Sequence, residues 1–273
     1  NDGVIIPLEP NPDPRSSNSF EAFLPKVGVI HHFDDDRSLG LTYHRGYRGG
    51  GSGLNFGPIL TLNPIETFNF DPEFTDTVEL AFRSKFNEGR ITFNANVFYT
   101  KWKDIQVASL GERNFLDVTV ENFASARFWG GEMDFSADVT ADLEIYASAT
   151  YTDTEFGDFI NNAGTFLGGK QFPGAPRVAA SIGAQYAFGN GWRIAADANY
   201  TGRSFSNAQN NPLFRNSDYL LVNGQVTYAF NEAVSVTGYV RNLLDEDYTT
   251  TFASLSAFVG PPREFGFFVD ARF

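Results

Sequence analysis

From residue 24 onward the sequence alternates apolar and polar residues with a period of two, over segments longer than the strands of ordinary sheets. In 192–200, Trp192, Ile194, Ala196, Ala198 and Tyr200 are separated by Arg193, Asp197 and Asn199; in 220–230, Leu220, Val222, Val226, Tyr228 and Phe230 are separated by Asn223, Gln225 and Thr227. The end of the chain repeats the pattern, with Phe265, Phe267, Val269, Ala271 and Phe273 apolar. No segment sustains a helical period, and no apolar run is long enough for a transmembrane helix. The alternation predicts eleven strands, at about 24–33, 37–47, 74–86, 90–107, 115–138, 142–156, 176–188, 192–205, 218–230, 234–244 and 263–273.

The connections alternate as strictly as the side chains do. Short polar turns centre on residues 35, 88, 141, 190 and 232, and longer irregular stretches fall between them at 48–73, 108–114, 157–175, 206–217 and 246–262. In an up-and-down sheet this places every short turn at one end and every long loop at the other. Soluble rivals are a β-sandwich and a β-propeller. A repeat of about 50 residues overlaps a propeller blade, but a blade needs four short strands where each repeat here holds two long ones. Long strands with one apolar and one polar face suit a barrel wall between lipid and an aqueous or plugged interior, and only a closed wall leaves no open edge in hydrocarbon. Aromatics are 16% of the chain, and Tyr43, Tyr99, Tyr151, Trp192, Tyr200, Phe230 and Phe273 fall near strand ends on the apolar face, where interfacial girdles lie. A mean hydropathy of -0.24 is then the average of two opposite faces.

Composition narrows function further. With no cysteine there is no disulfide scaffold and no thiolate metal site. A formal charge of -13 argues against nucleic acid as a partner. No Gly-x-Ser-x-Gly elbow occurs, and Gly49-Gly50-Gly51 is not followed by Gly-Lys-Ser/Thr, so neither a hydrolase nor a phosphate loop is indicated. His31 and His32 are adjacent and point to opposite faces, which disfavours a joint metal role; Asp34-Asp35-Asp36 reads as a solvated turn. No cofactor is expected, and the chain does not read as an enzyme.

Several segments together resemble the barrel of TonB-dependent outer-membrane receptors, in family order. Leu24-Pro25-Lys26-Val27-Gly28 followed by Tyr43-His44-Arg45-Gly46-Tyr47-Arg48-Gly49-Gly50 is similar to the family's first hairpin in this region. Asp71-Pro72-Glu73 with Val78-Glu79-Leu80, Phe98-Tyr99 with Asp104-Ile105-Gln106, Glu121-Asn122-Phe123-Ala124 with Gly130-Gly131-Glu132, and Pro173-Gly174-Ala175-Pro176 resemble later motifs. The most specific is Val240-Arg241-Asn242-Leu243-Leu244-Asp245-Glu246-Asp247-Tyr248, which looks like the family's VxNLxDxxY.

The resemblance implies an all-β, antiparallel transmembrane β-barrel, with about 11 strands present of an expected 22 and no plug domain. Residues 1–23, with prolines at 7, 10, 12 and 14, are expected to be the remnant of an extracellular loop, and 24–273 the C-terminal half of the barrel. The short turns would be periplasmic. The implied role is active uptake across the outer membrane of a Gram-negative bacterium, most of all of a ferric siderophore, with cobalamin, haem or oligosaccharide as other ligand classes. Implied partners are outer-membrane lipid, a small extracellular ligand, a TonB-type energy-coupling complex acting through the missing plug, and the barrel-assembly machinery, which would read the strand ending at Phe273. The alternatives are a passive porin or an autotransporter-type translocator, or a structural barrel or adhesin without transport.

Ligand-binding candidates are the outer-loop and lumen residues His44, Arg48, Glu73, Arg203, Asn207, Gln209, Phe214 and Arg215. Arginine suits an anionic ferric chelate and aromatics suit flat ligands. Asp104, Glu132, Arg241 and Asp245 are expected to be structural residues of the lumen wall.

Overall fold

The computed structural model describes residues 19–58, 65–110, 118–161, 164–253 and 256–272. Phe273 and most of the 1–23 segment lie outside them.

The strands are β1 (Lys26–His32), β2 (Arg37–Arg48), β3 (Gly51–Asn55), β4 (Glu66–Phe70), β5 (Glu73–Phe86), β6 (Ile91–Leu110), β7 (Val118–Asp138), β8 (Leu143–Phe156) and β9 (Val178–Ala187). They continue with β10 (Trp192–Thr201), β11 (Ser204–Phe205), β12 (Arg215–Asn216), β13 (Tyr219–Ala229), β14 (Val234–Arg241), β15 (Thr249–Ala253), β16 (Ser256–Val259) and β17 (Glu264–Ala271). A single 11-stranded antiparallel sheet runs β1-β2-β5-β6-β7-β8-β9-β10-β13-β14-β17. Among the described residues there is no α-helix, and the sheet is open: β1 and β17 each pair on one side only.

Each segment of apolar alternation overlaps one strand of this sheet. The expected irregular stretches need correction. Two of them contain small two-stranded sheets, β3-β4 and β15-β16, and a third sheet, β11-β12, pairs the tail of the expected strand 192–205 with residues of the stretch 206–217. Six strands also end earlier than their alternation suggests, β1 at His32 and β13 at Ala229 by a single residue. β10 stops at Thr201 and β14 at Arg241, where Asn242 takes a left-handed φ of 49° that ends an extended run. β9 stops at Ala187 and β17 at Ala271.

Pairing register carries each face across the sheet. Val29, Leu41, Leu80, Val97, Gly131, Tyr151 and Val178 stand opposite one another in successive pairs, giving one continuous apolar row. The neighbouring row on the other face carries Gly40, Ala81, Asn96, Glu132 and Thr150. Burial is inverted relative to a soluble sheet: the buried apolar side chains among the described residues are Pro58, Ile105, Ala126, Ala137 and Leu167, while the apolar face leaves Val97, Ile182 and Phe267 more than half exposed. An apolar face of that size has no counterpart in a soluble monomer.

Aromatics bound this face at both ends. Tyr43, Tyr99, Trp129, Tyr151 and Tyr200 lie toward the long loops, and Trp129 and Tyr151 sit 5.3 Å apart, ring to ring. Toward the short turns, Trp192 packs on Tyr228 at 4.7 Å and Tyr228 on Phe230 at 4.8 Å. From Trp192 to Tyr200 is about 27 Å along the strand, or about 20 Å for a strand tilted by roughly 40°, which is comparable to a membrane barrel's apolar band. β6 and β7, of 20 and 21 residues, run well past the upper aromatic row.

On the polar face, Tyr146 lies over Gly183 and Tyr239 over Gly266, each directly across the strand pair. A Cβ on either glycine would fall 2.3 or 2.4 Å from the ring, so only glycine lets the tyrosine lie flat there.

Candidate functional site

The long connections gather at one end of the sheet, and the candidate residues lie there in two different settings. The first is a rim on β2, β5, β6 and β7. Glu73 is 5% exposed and accepts the Gln106 backbone N–H at 2.7 Å. Arg48 clamps the same carboxylate, with Nε 2.9 Å from Oε1 and Nη2 3.0 Å from Oε2, and donates to the Gln106 carbonyl at 3.1 Å. The Gln106 amide donates to the carbonyls of Gly49 and Asp71 at 2.9 Å each. Asn122 completes the network, accepting the Asp71 N–H at 2.6 Å and donating to the carbonyls of Asp71 and Asp104 at 2.7 Å. This lattice closes around Asp104, which has a φ of 54° and drops out of the β6-β7 pairing while the register is kept, from Lys103↔Ser125 to Ile105↔Phe123. Arg48 and Glu73 are thus paired with each other and hold the rim. Gln106 and Asn122, absent from the candidates, join them.

The second setting is the hairpin of β11 and β12. Asn207 accepts the Asn211 N–H at 3.0 Å, and Asn211 caps the short turn Pro212–Phe214 through the Leu213 N–H at 3.0 Å. Phe214 is half-buried with its ring 6.1 Å from that of Phe252. The hairpin is tied to the 157–177 connection, where Asn210 and Gln171 exchange two hydrogen bonds of 2.7 and 2.9 Å. Ser206 Oγ ties it to the β14–β17 connection by accepting the Phe252 N–H at 2.9 Å. Gln209 and Arg215 are exposed. Arg203 pairs with Asp218 at 3.1 Å; the backbone N–H of Asp218 and the hydrogen bond from Arg203 hold that carboxyl below its usual range despite some desolvation. His44 stands on the polar face, opposite Thr77.

Beneath the loops, Phe172 enters the polar face. Its ring is 4.7 Å from Phe156, 6.0 Å from Trp102 and 6.4 Å from Phe128, and its N–H donates to Thr154 Oγ1 at 3.0 Å. The pairing register puts Trp102, Phe128 and Phe156 on one face of β6, β7 and β8, and the loop residue that joins them carries no periodic signal in the sequence.

Other expected positions are structural. Asn242 donates to the carbonyls of Glu246 and Pro261 and accepts the Glu246 N–H at 2.8 Å. Asp245 accepts the Arg263 N–H at 2.9 Å, so it belongs to a turn at the loop end and not to the wall, as expected earlier. Arg241 does lie on the polar face, over Tyr239 at 5.2 Å, and Glu132 there meets Asn96. Glu144, Tyr146, Asp197, Asn223 and Arg241 line a polar-face depression of about 600 Å³, away from the loop-end candidates. Asp34 pairs with Arg37 across its turn, and no cluster of three metal-ligating side chains occurs among the described residues.

These features define a class first: an antiparallel wall with an apolar outer band, a polar inner face and its elaboration at one end, the architecture of outer-membrane barrels. The chain belongs to the TonB-dependent receptor family; the family model "TonB dependent receptor-like, beta-barrel" matches residues 7–243. The metal-pseudopaline receptor CntO of Pseudomonas aeruginosa is 22% identical over 240 residues, covering 86% of this chain and 31% of the relative. The ferric-pyoverdine M114 receptor PbuA of Pseudomonas sp. strain M114 is 24% identical over 258 residues, covering 91% and 29%. The ferric yersiniabactin uptake receptor FyuA of Yersinia pestis superposes with a TM-score of 0.75 at 20% identity, covering 92% of this chain and 37% of that one. The chain therefore spans about a third of the length of the curated relatives it matches.

Proposed function

We propose that this chain is the C-terminal half of the barrel wall of an outer-membrane receptor that takes up a ferric siderophore, driven by a TonB-type complex acting on a plug contributed by another part of the protein. The observation that carries this reading is the two-faced wall with its loop-end rim, in a chain whose relatives are named as siderophore and metal receptors. Further wall strands of the same protein, up to about 22 in all, would close the sheet. The open edges support this, since β1 and β17 each pair on one side only. Residues 1–23 would come from an extracellular loop, the short turns would face the periplasm, and the strand ending at Phe273 would engage the barrel-assembly machinery. The charged polar-face depression around Asp197 and Arg241 would then face the plug, and the loop-end residues the ligand.

The test is growth of a receptor-deleted strain, complemented with the full-length gene, on a panel of defined iron sources. Receptor-dependent growth on at least one ferric chelate is expected. Unchanged growth on all of them would overturn the iron reading.

A further inference from the structure

The hairpin of β11 and β12 is tied to the 157–177 connection at two points. At the first, Gly174 donates its N–H to the Phe205 carbonyl at 2.7 Å. At the second, Asn210 uses both ends of its side-chain amide on the main chain of Gln171. Its Oδ1 accepts the Gln171 N–H at 2.7 Å, and its Nδ2 donates to the Gln171 carbonyl at 2.9 Å. The side chain thus pairs with Gln171 as a neighbouring strand would. Its aim is set by its own turn, where Asn210 takes a left-handed φ of 53° and donates its N–H to the Asn207 carbonyl at 3.2 Å. Asparagine suits the position twice, since it tolerates that φ and carries both a donor and an acceptor.

Between the two tied residues, Gln171 and Gly174, stands Phe172, the side chain that enters the aromatic cluster of Trp102, Phe128 and Phe156. Thr154, whose Oγ1 accepts the Phe172 N–H, is 6% exposed. One chain of contacts therefore runs from β6, β7 and β8 through Phe172 and Gln171 to Asn210. It ends on the hairpin that carries the exposed Gln209 and Arg215. β11 and β12 have two residues each, too few to hold a hairpin in place by their own pairing, so its position depends on the ties.

We propose that the hairpin and the 157–177 connection form one clasp, in which Asn210 and Phe172 are positioning residues that hold Gln209 and Arg215 at a preset place for an anionic ferric chelate. This rests on the receptor reading above. A preset surface lowers the ordering cost of binding, so loosening the clasp is read in affinity and not in the maximal rate of uptake.

The experiment uses the full-length protein, with Asn210→Gly and Phe172→Ala beside wild type. Glycine keeps the left-handed backbone at 210 and removes only the side chain. Hydrogen exchange is read by mass spectrometry on the purified protein without any chelate. In Asn210→Gly, the Gln171, Phe172 and Gly174 amides are expected to exchange roughly tenfold faster, with the β8-β9-β10 ladder unchanged. In Phe172→Ala the effect is expected in the other direction, at the Ser206 and Asn211 amides of the hairpin, because coupling is reciprocal. Uptake of radio-iron, carried by the chelate on which the complemented strain grows, is expected to show a KM several-fold higher in both variants. The maximal rate and the amount of heat-resistant barrel are expected to stay unchanged. Unchanged exchange at 171–174 in Asn210→Gly, or in the hairpin in Phe172→Ala, would overturn the clasp. A wild-type KM, with or without a fall in maximal rate or assembled barrel, would overturn the positioning role. If no ferric chelate supports growth, the uptake reading fails, while the exchange measurement still decides the clasp.

Discussion

The rim of β2, β5, β6 and β7 and the hairpin of β11 and β12 occupy the same end of the sheet, yet they use polar residues in opposite ways. At the rim, Arg48, Glu73, Gln106 and Asn122 turn their polar atoms onto one another and onto backbone carbonyls. In the hairpin, asparagines shape the turn through the backbone, and Gln209 and Arg215 are left facing solvent. The first region fixes where the loops leave the wall. The second leaves exposed side chains that, under the proposed function, would meet a ligand without dismantling anything. Residues that resemble family motifs are thus poor candidates for ligand specificity, because their side chains already serve the fold.

The sharpest way to break this contrast is Glu73→Ala. It leaves the half-buried Gln106 N–H without its acceptor, which costs about 1 kcal/mol. The ion pair adds little, since the Arg48 side chain is 57% exposed and screened by solvent. We expect a smaller heat-resistant fraction of the assembled barrel on SDS gels and a lower unfolding temperature, with Glu73→Gln closer to wild type because its amide oxygen still accepts. Wild-type stability of Glu73→Ala would make the rim dispensable and return Glu73 to the ligand-binding candidates.

A smaller effect, of opposite kind, is expected at Arg215→Gln and Gln209→Ala. Exposed loop substitutions leave stability within about 0.5 kcal/mol. Loss of a charged contact to an anionic ferric chelate would instead weaken uptake several-fold. Uptake kinetics on the iron source that supports receptor-dependent growth, beside thermal unfolding, separate the two. Loss of stability with unchanged uptake would reverse the roles of rim and hairpin.

How much of this was legible in the sequence follows from what a period of two encodes. Alternation fixes face and approximate span, so Val97, Tyr99, Trp192 and Phe267 could be placed on the apolar side directly. It cannot announce a local break in pairing. Asp104 takes a left-handed φ and drops out of the β6-β7 pairing, and nothing in Lys103-Asp104-Ile105 announces it. Nor does it reach across loops: Phe172 joins Trp102 and Phe156 only because the 157–177 connection folds back, with the Phe156 N–H bonded to the Lys170 carbonyl at 2.9 Å. The family-like residues were recognisable as a set, but their type did not distinguish a clamp from a ligand contact. An Arg and a Glu some 25 residues apart look alike in both cases, and only the burial of Glu73 separates them.

At the opposite end of the sheet the same logic predicts the weakest effect. Asp34 accepts the Arg37 Nε–H at 2.8 Å and the Asp36 N–H at 3.1 Å, closing the β1–β2 turn on itself. The hydrogen bond from Arg37 holds the Asp34 carboxyl below its ordinary range. A carboxyl depressed in the folded state contributes stability above its unfolded pKa and loses it as pH falls through the folded one. Arg37→Gln should therefore lower the unfolding temperature slightly at neutral pH, by less than Glu73→Ala does. The gap from wild type should close as the pH is taken below the carboxylate range, where Asp34 is protonated with or without its partner. A gap that persists at low pH would mean that Arg37 supports the turn by packing its stem and not through this carboxylate, and the short-turn end would then owe its shape to apolar contacts.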